Sequence, residues 1–339
     1  MLLLVILVGG YAAMTVLMPS EEEETEEESK EFTVATVKED NINKIVYTHK
    51  GSEITLERKD EKDEWVSPTD KNCPVNEYTV DAMLSALKEI KATRKIKKAD
   101  VDEEAFGFKE PSLQITFTKK NGKEVVYTLG ALNSVVDKYY FKMTGDDKAY
   151  LVDTTLYNSF DYDLLGLAEV EEYPSIGNQD VSDYSVTVDG KTKYFVDSKD
   201  AAHKKNDSEI PECVWKSGDS KSNLKKMDTD TADELIQAVI GLTNSECVSY
   251  NMTDKELKKY GLDNPKMTLT VNYTSMKSSD KKDEDGNTED AKILDHSFTV
   301  YFGNTDEESG EYYVYRKGSK AIYTMNVSNV DKLKKAVTE

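Results

Sequence analysis

FGFKEPSLQITF (residues 106–117) and YGLDNPKMTLTV (residues 260–271) say nearly the same thing twice, 154 residues apart (106 to 260). Each reads aromatic, Gly, apolar, two polar residues, Pro, and then an alternating run. Alternation with period two is the pattern of a half-buried strand. Proline suits the first position of a strand, where no ladder donor is needed, and the glycine suits a helix C-cap or a turn with positive φ. Both stretches are therefore predicted to be a helix end, a turn and a strand start.

The correspondence extends in both directions. VVYTLG (125–130) pairs with FTVYFG (298–303), and YYFKMTGDDKAYLV (139–152) with YYVYRKGSKAIYTM (312–325). Here the offset is 173 (130 to 303), so the second copy carries 19 extra residues. They fall in SMKSSDKKDEDGNTEDAKILD, a polar run without apolar periodicity that reads as an extended hairpin loop. Upstream, NKIVYTHKGSEITLERKDEKDEWVS and DYSVTVDGKTKYFVDS are each predicted as a hairpin, around HKGS and around Asp189-Gly190. Trp65 and Trp215 follow, and then an amphipathic helix in each copy. Val80, Met83, Leu84, Leu87 and Ile90 share one face of the first, and Leu235, Ile236, Val239, Ile240 and Leu242 one face of the second. Strand-like returns RKIKKA and ECVSYN come next, and short helical segments DTTLYNSF and NVSNVDKLKKAV close the copies. A period near 150 residues is far beyond a solenoid repeat and indicates duplicated domains.

The expected class is α+β: two duplicated domains, each an antiparallel-rich sheet with a covering amphipathic helix, behind an N-terminal transmembrane anchor. The expected division is 1–18 anchor, 19–33 acidic spacer, 34–170 first domain, 171–179 linker (within EEYPSIGNQD) and 180–339 second domain.

The address rests on MLLLVILVGGYAAMTVLM, in which Leu2 to Met18 carry no charge. Seventeen uncharged residues sit at the short end of what spans a bilayer and are slightly long for a signal-peptide core. An uncleaved signal-anchor is the first reading and a cleaved signal peptide the second. No cysteine follows, which excludes a lipoprotein anchor. Only Met1 precedes the leucines, so a basic stretch upstream is expected. EEEETEEESKE (21–31) reads as a solvated, self-repelling spacer. Residues 20–31 hold eight Glu and one Lys, a third of the net charge of −21.

That charge argues against nucleic acid, which rewards a basic face, and disfavours peripheral binding to anionic lipid. The most basic run, KATRKIKKAD (91–100), reads as a helix end running into a strand. Cys73, Cys213 and Cys247 form no CxxC; one disulfide is possible, but spacing fixes no pair. His49, His203 and His296 lie in separate segments without ligand spacing. With Gly286 of DEDG (283–286) at the sixth position of a calcium loop, Lys281 and Lys292 fall where acidic ligands belong, and the motif fails. Asp102, Glu103 and Glu104 form a carboxylate cluster, but 65 acidic residues make chance clusters common. In Tyr139-Tyr140 and Tyr312-Tyr313 one ring is expected to face the core and one the solvent. No catalytic, cofactor-binding or metal residue is singled out, and no cofactor is expected.

Together these marks resemble the bacterial domain of unknown function 4340 family. They are Trp65, Phe106-Gly107-Phe108 with Pro111, Leu129-Gly130, Tyr139-Tyr140 and Tyr150, and again Trp215, Tyr260-Gly261-Leu262 with Pro265, Phe302-Gly303, Tyr312-Tyr313 and Tyr323. Phe108 departs from the leucine of the pattern. The resemblance implies a single-pass protein of the bacterial cell membrane with extracytoplasmic C-terminal domains. Its implied partners are the permease and ATPase of an ABC-type transporter of the gliding-motility or auxiliary kind. The expected function is a non-enzymatic accessory or binding module. An envelope hydrolase with a dispersed carboxylate site and a structural or adhesive surface protein are the alternatives.

Overall fold

A computed structural model describes residues 31–198, 213–277 and 292–339. The apolar run at the N-terminus, His203 and the DEDG stretch lie outside the described residues. Among the described residues no helix is long and apolar enough to cross a membrane. The chain is mixed α+β with sheet dominating.

It divides into two compact units. The first comprises residues 1–63 and 80–161, the second 64–79 and 162–339. The first unit holds β1 (Phe32–Thr36), β2 (Ile42–His49) and β3 (Ser52–Glu57). After the 64–79 segment, α1 (Glu77–Lys88) leads back into it. There follow β4 (Glu89–Ala92), β5 (Arg94–Ile96), β6 (Leu113–Lys119), β7 (Glu124–Asn133), β8 (Lys138–Met143), β9 (Ala149–Val152) and α2 (Thr155–Ser159). The second holds β10 (Val181–Val188), β11 (Lys191–Asp197), β12 (Trp215–Gly218), β13 (Lys225–Lys226), α3 (Thr229–Ile240), β14 (Asn244–Ser249) and α4 (Asp254–Lys259). It closes with β15 (Met267–Lys277), β16 (Lys292–Thr305), β17 (Tyr312–Arg316), β18 (Ile322–Met325) and α5 (Val327–Thr338).

The seven-stranded sheet of the first unit has the order β3-β2-β6-β7-β8-β9-β5. The nine-stranded sheet of the second has β13-β12-β11-β10-β15-β16-β17-β18-β14. Every neighbouring pair in both is antiparallel. Apart from β13 and β12 at one edge, the two orders correspond strand for strand.

Local chemistry sets these elements. Lys50-Gly51 and Asp189-Gly190 both have positive φ at each position, the conformation a two-residue turn needs to match strand twist. On α3 the side chain of Asp228 caps the Thr231 amide, and Ala232, Leu235, Ile236 and Val239 form its buried face. Helix α5 lies on β10 and packs against α3, with the Asn329 side chain donating to Gly241 O at 2.9 Å. In the second core Tyr184 stacks on Phe195 at 4.5 Å and meets Trp215 at 5.4 Å. In the first, Phe117, Tyr127 and Phe141 form an edge-to-face series at 5.0 and 5.2 Å.

The first helix stops at Lys88, and Ile90 is not on its face. Glu89–Ala92 instead pairs with β1, Thr36 opposite Glu89 and Phe32 opposite Ala92. A remote strand therefore captures what periodicity extends as helix. The KATRKIKKAD run likewise holds two short strands and a 3-10 turn (Lys98–Asp100). The segment 169–180 is held down rather than loose. Asn244 Nδ2 donates to Glu171 O at 2.6 Å, Tyr173 donates to Asn244 Oδ1 at 3.2 Å, and Glu171 pairs with Arg316. Burial raises the Tyr173 phenol far above its ordinary pKa.

The opening repetition has a structural cause. In the first copy the Phe108 and Gly107 amides donate to Glu103 O and Glu104 O, at 2.9 and 3.0 Å. In the second, Leu262 and Gly261 donate to Leu257 O and Lys258 O, at 2.7 and 3.2 Å. With φ of +74° and +70° at the glycines, this is the Schellman turn. The carbonyl exposed by each turn docks on the sheet: Ala131 N donates to Phe106 O, and Asn304 N to Tyr260 O, both at 2.8 Å. A Cβ on Gly130 would stand 2.0 Å from Phe106 O, and one on Gly303 2.2 Å from Tyr260 O. The glycines of LG and FG are thus the landing places of the FGF and YGL turns. The strand ladders shift register there, between Leu129 and Leu132 and between Phe302 and Thr305.

Candidate functional site

The second unit carries a groove of about 590 Å³ lined by Leu165, Val248, Tyr250, Lys255, Lys259 and Tyr260 among others. It forms because β14 ends and the chain turns into α4. That helix starts with a capping box, Thr253 Oγ1 accepting from Glu256 N and the Glu256 carboxylate from Thr253 N at 2.9 Å. It ends in the YGL turn. Lys255 and Lys259 are four apart and share a face. The Lys259 ammonium lies 4.6 Å over the Tyr260 ring and donates to its hydroxyl at 3.0 Å. Beneath, Tyr260, Leu262 and Ile322 form a buried cluster with Tyr301, Tyr313 and Tyr315 packed on it.

The ionisable groups here are engaged. The Tyr250 hydroxyl donates to Asp70 Oδ2 at 2.9 Å. Desolvation, and then that bond, raise its pKa far above the ordinary phenol value, so it stays protonated. The Glu256 carboxyl is held below its usual range, first by the Thr253 hydroxyl. The Lys255 ammonium, the Tyr250 ring and the edge of β14 remain to meet a ligand. The arrangement suits binding of a flat or anionic group.

A second groove, about 450 Å³, lies among β11, α3 and α5. Its lysines are engaged: Lys193 Nζ donates to the Ala336 carbonyl at 2.7 Å, Lys332 lies 3.6 Å from Glu234, and Lys335 3.4 Å from Glu339.

The residues weighed from sequence are not brought together. His49 Nδ1 is 3.3 Å from Asp161, and His296 Nε2 is 2.8 Å from Ser275 Oγ with its ring on Tyr273. Among the described residues no group of three His, Cys, Asp or Glu is placed to hold a metal. Asp102 caps the amides of Glu104 and Ala105, Glu103 meets Lys142 and Glu104 meets Lys109. The paired tyrosines do not divide into core and solvent. Tyr139 is buried, while Tyr140, Tyr312 and Tyr313 are half-buried. Tyr140 stacks on Phe106 at 4.1 Å, and Tyr313 packs tilted against Tyr260 at 4.3 Å. Their recurrence belongs to the turn that docks beside them. The groove itself was not singled out from sequence; its one signal is the Thr253–Glu256 capping box ahead of two lysines four apart.

The sequence pattern of the family described as Domain of unknown function (DUF4340) matches residues 65–243 and again 215–339. The chain belongs to the DUF4340 family. Two overlapping copies are present, and each match opens on a tryptophan, Trp65 or Trp215. The shared stretch, 215–243, contains β12, β13 and α3. No curated protein and no solved structure matches the chain. In DUF4340 terms, the Trp65 end of the first copy lies in the second unit.

Proposed function

We propose that this DUF4340 protein is a non-enzymatic, extracytoplasmic binding or accessory module. Residues 1–18 anchor it in a bacterial membrane, residues 19–33 space it from the surface, and two helix-covered sheets of common descent form its working part. Its partners in this reading are the permease and ATPase of an ABC-type transporter. The observation that carries binding over catalysis is the groove between β14 and α4. Tyr250, Glu256 and Lys259 are there spent on Asp70, Thr253 and Tyr260, leaving the Lys255 ammonium and the Tyr250 ring face as the contact surface. The anchor draws support from the uncharged run Leu2 to Met18, and the transporter from the family resemblance.

The test is co-purification of the full-length tagged chain from its own host in mild detergent. Near-stoichiometric recovery of a permease and an ATPase is expected. Exchanging Lys255 and Lys259 for glutamate should release them if the groove is the docking face. Recovery of the chain alone, where known membrane complexes survive, overturns the partner assignment. Full protease protection of the C-terminal part in intact cells overturns the topology.

A further inference from the structure

The second sheet buries one side, with Val186, Met267, Val300, Phe302 and Val314. Helix α5 lies there against β10 and β11, and Lys193 Nζ reaches Ala336 O. The alternate residues point to the other side and are half-buried. Strand pairing sets them in rows that cross the sheet. Thr192, Thr187, Thr268, Tyr301 and Tyr315 stand successively opposite one another from β11 to β17. Beside them run Tyr194, Ser185, Thr270 and Thr299. The threonine hydroxyls are bonded in pairs, Thr187 to Thr192 at 2.8 Å and Thr270 to Thr299 at 3.1 Å. Two hydroxyls joined by one bond keep a second hydrogen and further lone pairs for a ligand. Tyr301 and Tyr315 stack at 4.8 Å and rest on the cluster around Tyr260. At the border Lys221 lies 3.0 Å from Asp183, which also accepts from Asn272 at 3.0 Å.

The duplication supplies an internal comparison. At the offset of 173, Tyr301 and Tyr315 correspond to Thr128 and Lys142, which pair in the first sheet as the tyrosines pair in the second. Lys142 is taken by Glu103. At the offset of 154, Thr268 corresponds to Gln114. Counted from the Lys50-Gly51 and Asp189-Gly190 turns, Thr192 and Tyr194 correspond to Glu53 and Thr55. The inward positions are apolar in both copies: Met267, Phe302 and Val314 against Leu113, Leu129 and Phe141. Packing dictates the inner side of both sheets, whereas the three outward tyrosines have no aromatic counterpart at the matching positions of the first.

We propose that this outward side of the second sheet binds a neutral glycan chain laid across the strands. A pyranose ring has a face of C–H groups and a rim of hydroxyls. The face packs on a tyrosine ring, and the rim exchanges hydrogen bonds with threonine and serine hydroxyls, which both donate and accept. Rows without charge suit a neutral polymer, because a charged sugar would give up its water and meet no counter-charge. Strands about 4.8 Å apart make a row of five about 19 Å long. That length accommodates several sugar rings in line, and an open sheet face fits a polymer where a small molecule needs a concave site. Tyr301 and Tyr315 are already stacked, so little side-chain freedom remains to be lost on binding. The surface is distinct from the groove of Lys255 and Lys259, and the assignment does not depend on a transporter.

The test is retention of the full-length chain, in mild detergent, on three insoluble polymers: microcrystalline cellulose and chitin, both neutral, and cross-linked pectate, which is anionic. Retention on cellulose or chitin is expected, and the one that retains it names the sugar. Exchanging Tyr301 and Tyr315 together for alanine should weaken retention roughly tenfold or more. Exchanging both for phenylalanine should preserve it, since the ring faces remain. Thr128→Ala, at the matching position of the first sheet, should change nothing. The alanine pair also loosens the cluster around Tyr260, so Thr270→Val with Thr299→Val tests the hydroxyls apart from it. Retention should fall several-fold there while the urea midpoint stays within about 0.3 M of the parent. Passage through all three polymers overturns the proposal, as does retention on pectate equal to that on the neutral pair. Retention that survives both the alanine and the valine exchanges, or that falls equally with Thr128→Ala, overturns the placement on this face.

Discussion

Gly303 has an ordinary φ, since it is absent from the positive-φ positions, yet the structure admits no other residue there. A Cβ would stand 2.2 Å from Tyr260 O and 3.0 Å from two carbons of Leu262. Tyr260 O cannot withdraw cheaply, because it accepts from Asn304 N at 2.8 Å and ends a turn held by two further backbone bonds. Gly303→Ala must therefore break the docking bond, at about 1 kcal/mol, and displace packed neighbours, at about 1–3 kcal/mol. The expected loss is about 2–4 kcal/mol. With a urea slope of about 2 kcal/mol per molar, the midpoint falls by about 1–2 M. Gly310→Ala is the control: φ is +74° but no atom lies within 4 Å, so its cost is the left-handed backbone alone, about 1–2 kcal/mol. The readout is tryptophan fluorescence, because Trp65 and Trp215 both belong to the second unit. Gly130→Ala makes the same clash in the first unit, where Cβ would stand 2.0 Å from Phe106 O. It should leave the tryptophan transition in place and shift only far-ultraviolet circular dichroism. A Gly303→Ala midpoint within about 0.3 M of the parent would refute the docking argument. Equal tryptophan shifts from both variants would refute separate unfolding of the units.

Three further outcomes are expected. Burial pushes the phenols of Tyr127, Tyr150 and Tyr323 up to about 12. Their raised folded values contribute stability that is complete below about pH 10 and lost as pH rises through 12. Absorbance at 295 nm should show these rings ionising only as the fold melts; smooth titration of every tyrosine near pH 10 in folded protein would contradict it. Asp306 is held down to about 2, first by the Ser309 amide and next by the Tyr313 hydroxyl. Its contribution is present above about pH 4 and lost as pH falls through 2, so Asp306→Asn should flatten the acid limb of urea midpoints, and an unchanged limb rejects the assignment. Tyr250→Phe removes the bond to Asp70 and should cost about 1–2 kcal/mol, with a red shift of Trp65 emission as its segment loosens; unchanged emission and stability would show that the bond holds nothing.

Much of the fold was legible because its signals are local. Lys50-Gly51 and Asp189-Gly190 specify their own turns, and the apolar stripe of α3 needs no knowledge of its partner. The repeated YGL and LG marks were legible as a pattern, and so was the family. The misses share a cause, which is distance along the chain. Ile90 looks helical until Phe32–Thr36 arrives to pair with Glu89–Ala92. The 64–79 segment belongs to the first copy by sequence, as the family match from Trp65 shows, and only its spatial unit was illegible. Its contacts lie with Leu164, Leu167, Glu169 and Tyr250, nearly a hundred residues or more away. The groove depends on that same assembly, and no residue in it carries an unusual motif.

What the copies share and what they do not share separates architecture from function. The Schellman glycine, the docked carbonyl and the tyrosine packed beside it occur in both units, and each is consumed in holding the turn to the sheet. The feature that differs is what precedes the turn. In the second unit it is α4, presenting Lys255 and Lys259 to the groove. At the same offset of 154 the first unit has Val101, extended after the 3-10 turn, and Ala105, within the turn that follows, and its nearby acids are tied to Lys142 and Lys109. A site retained for packing stays the same in both copies, whereas a binding surface needs only one. The common lock is therefore the scaffold, and the face built on α4 is where a partner of the second unit should be sought. Grafting lysines onto Val101 and Ala105 should not create a second binding face, because no helix of α4's length stands there to aim them. Partner retention by that graft in a chain whose Lys255 and Lys259 have been reversed in charge would show that charge alone, without the helix, suffices.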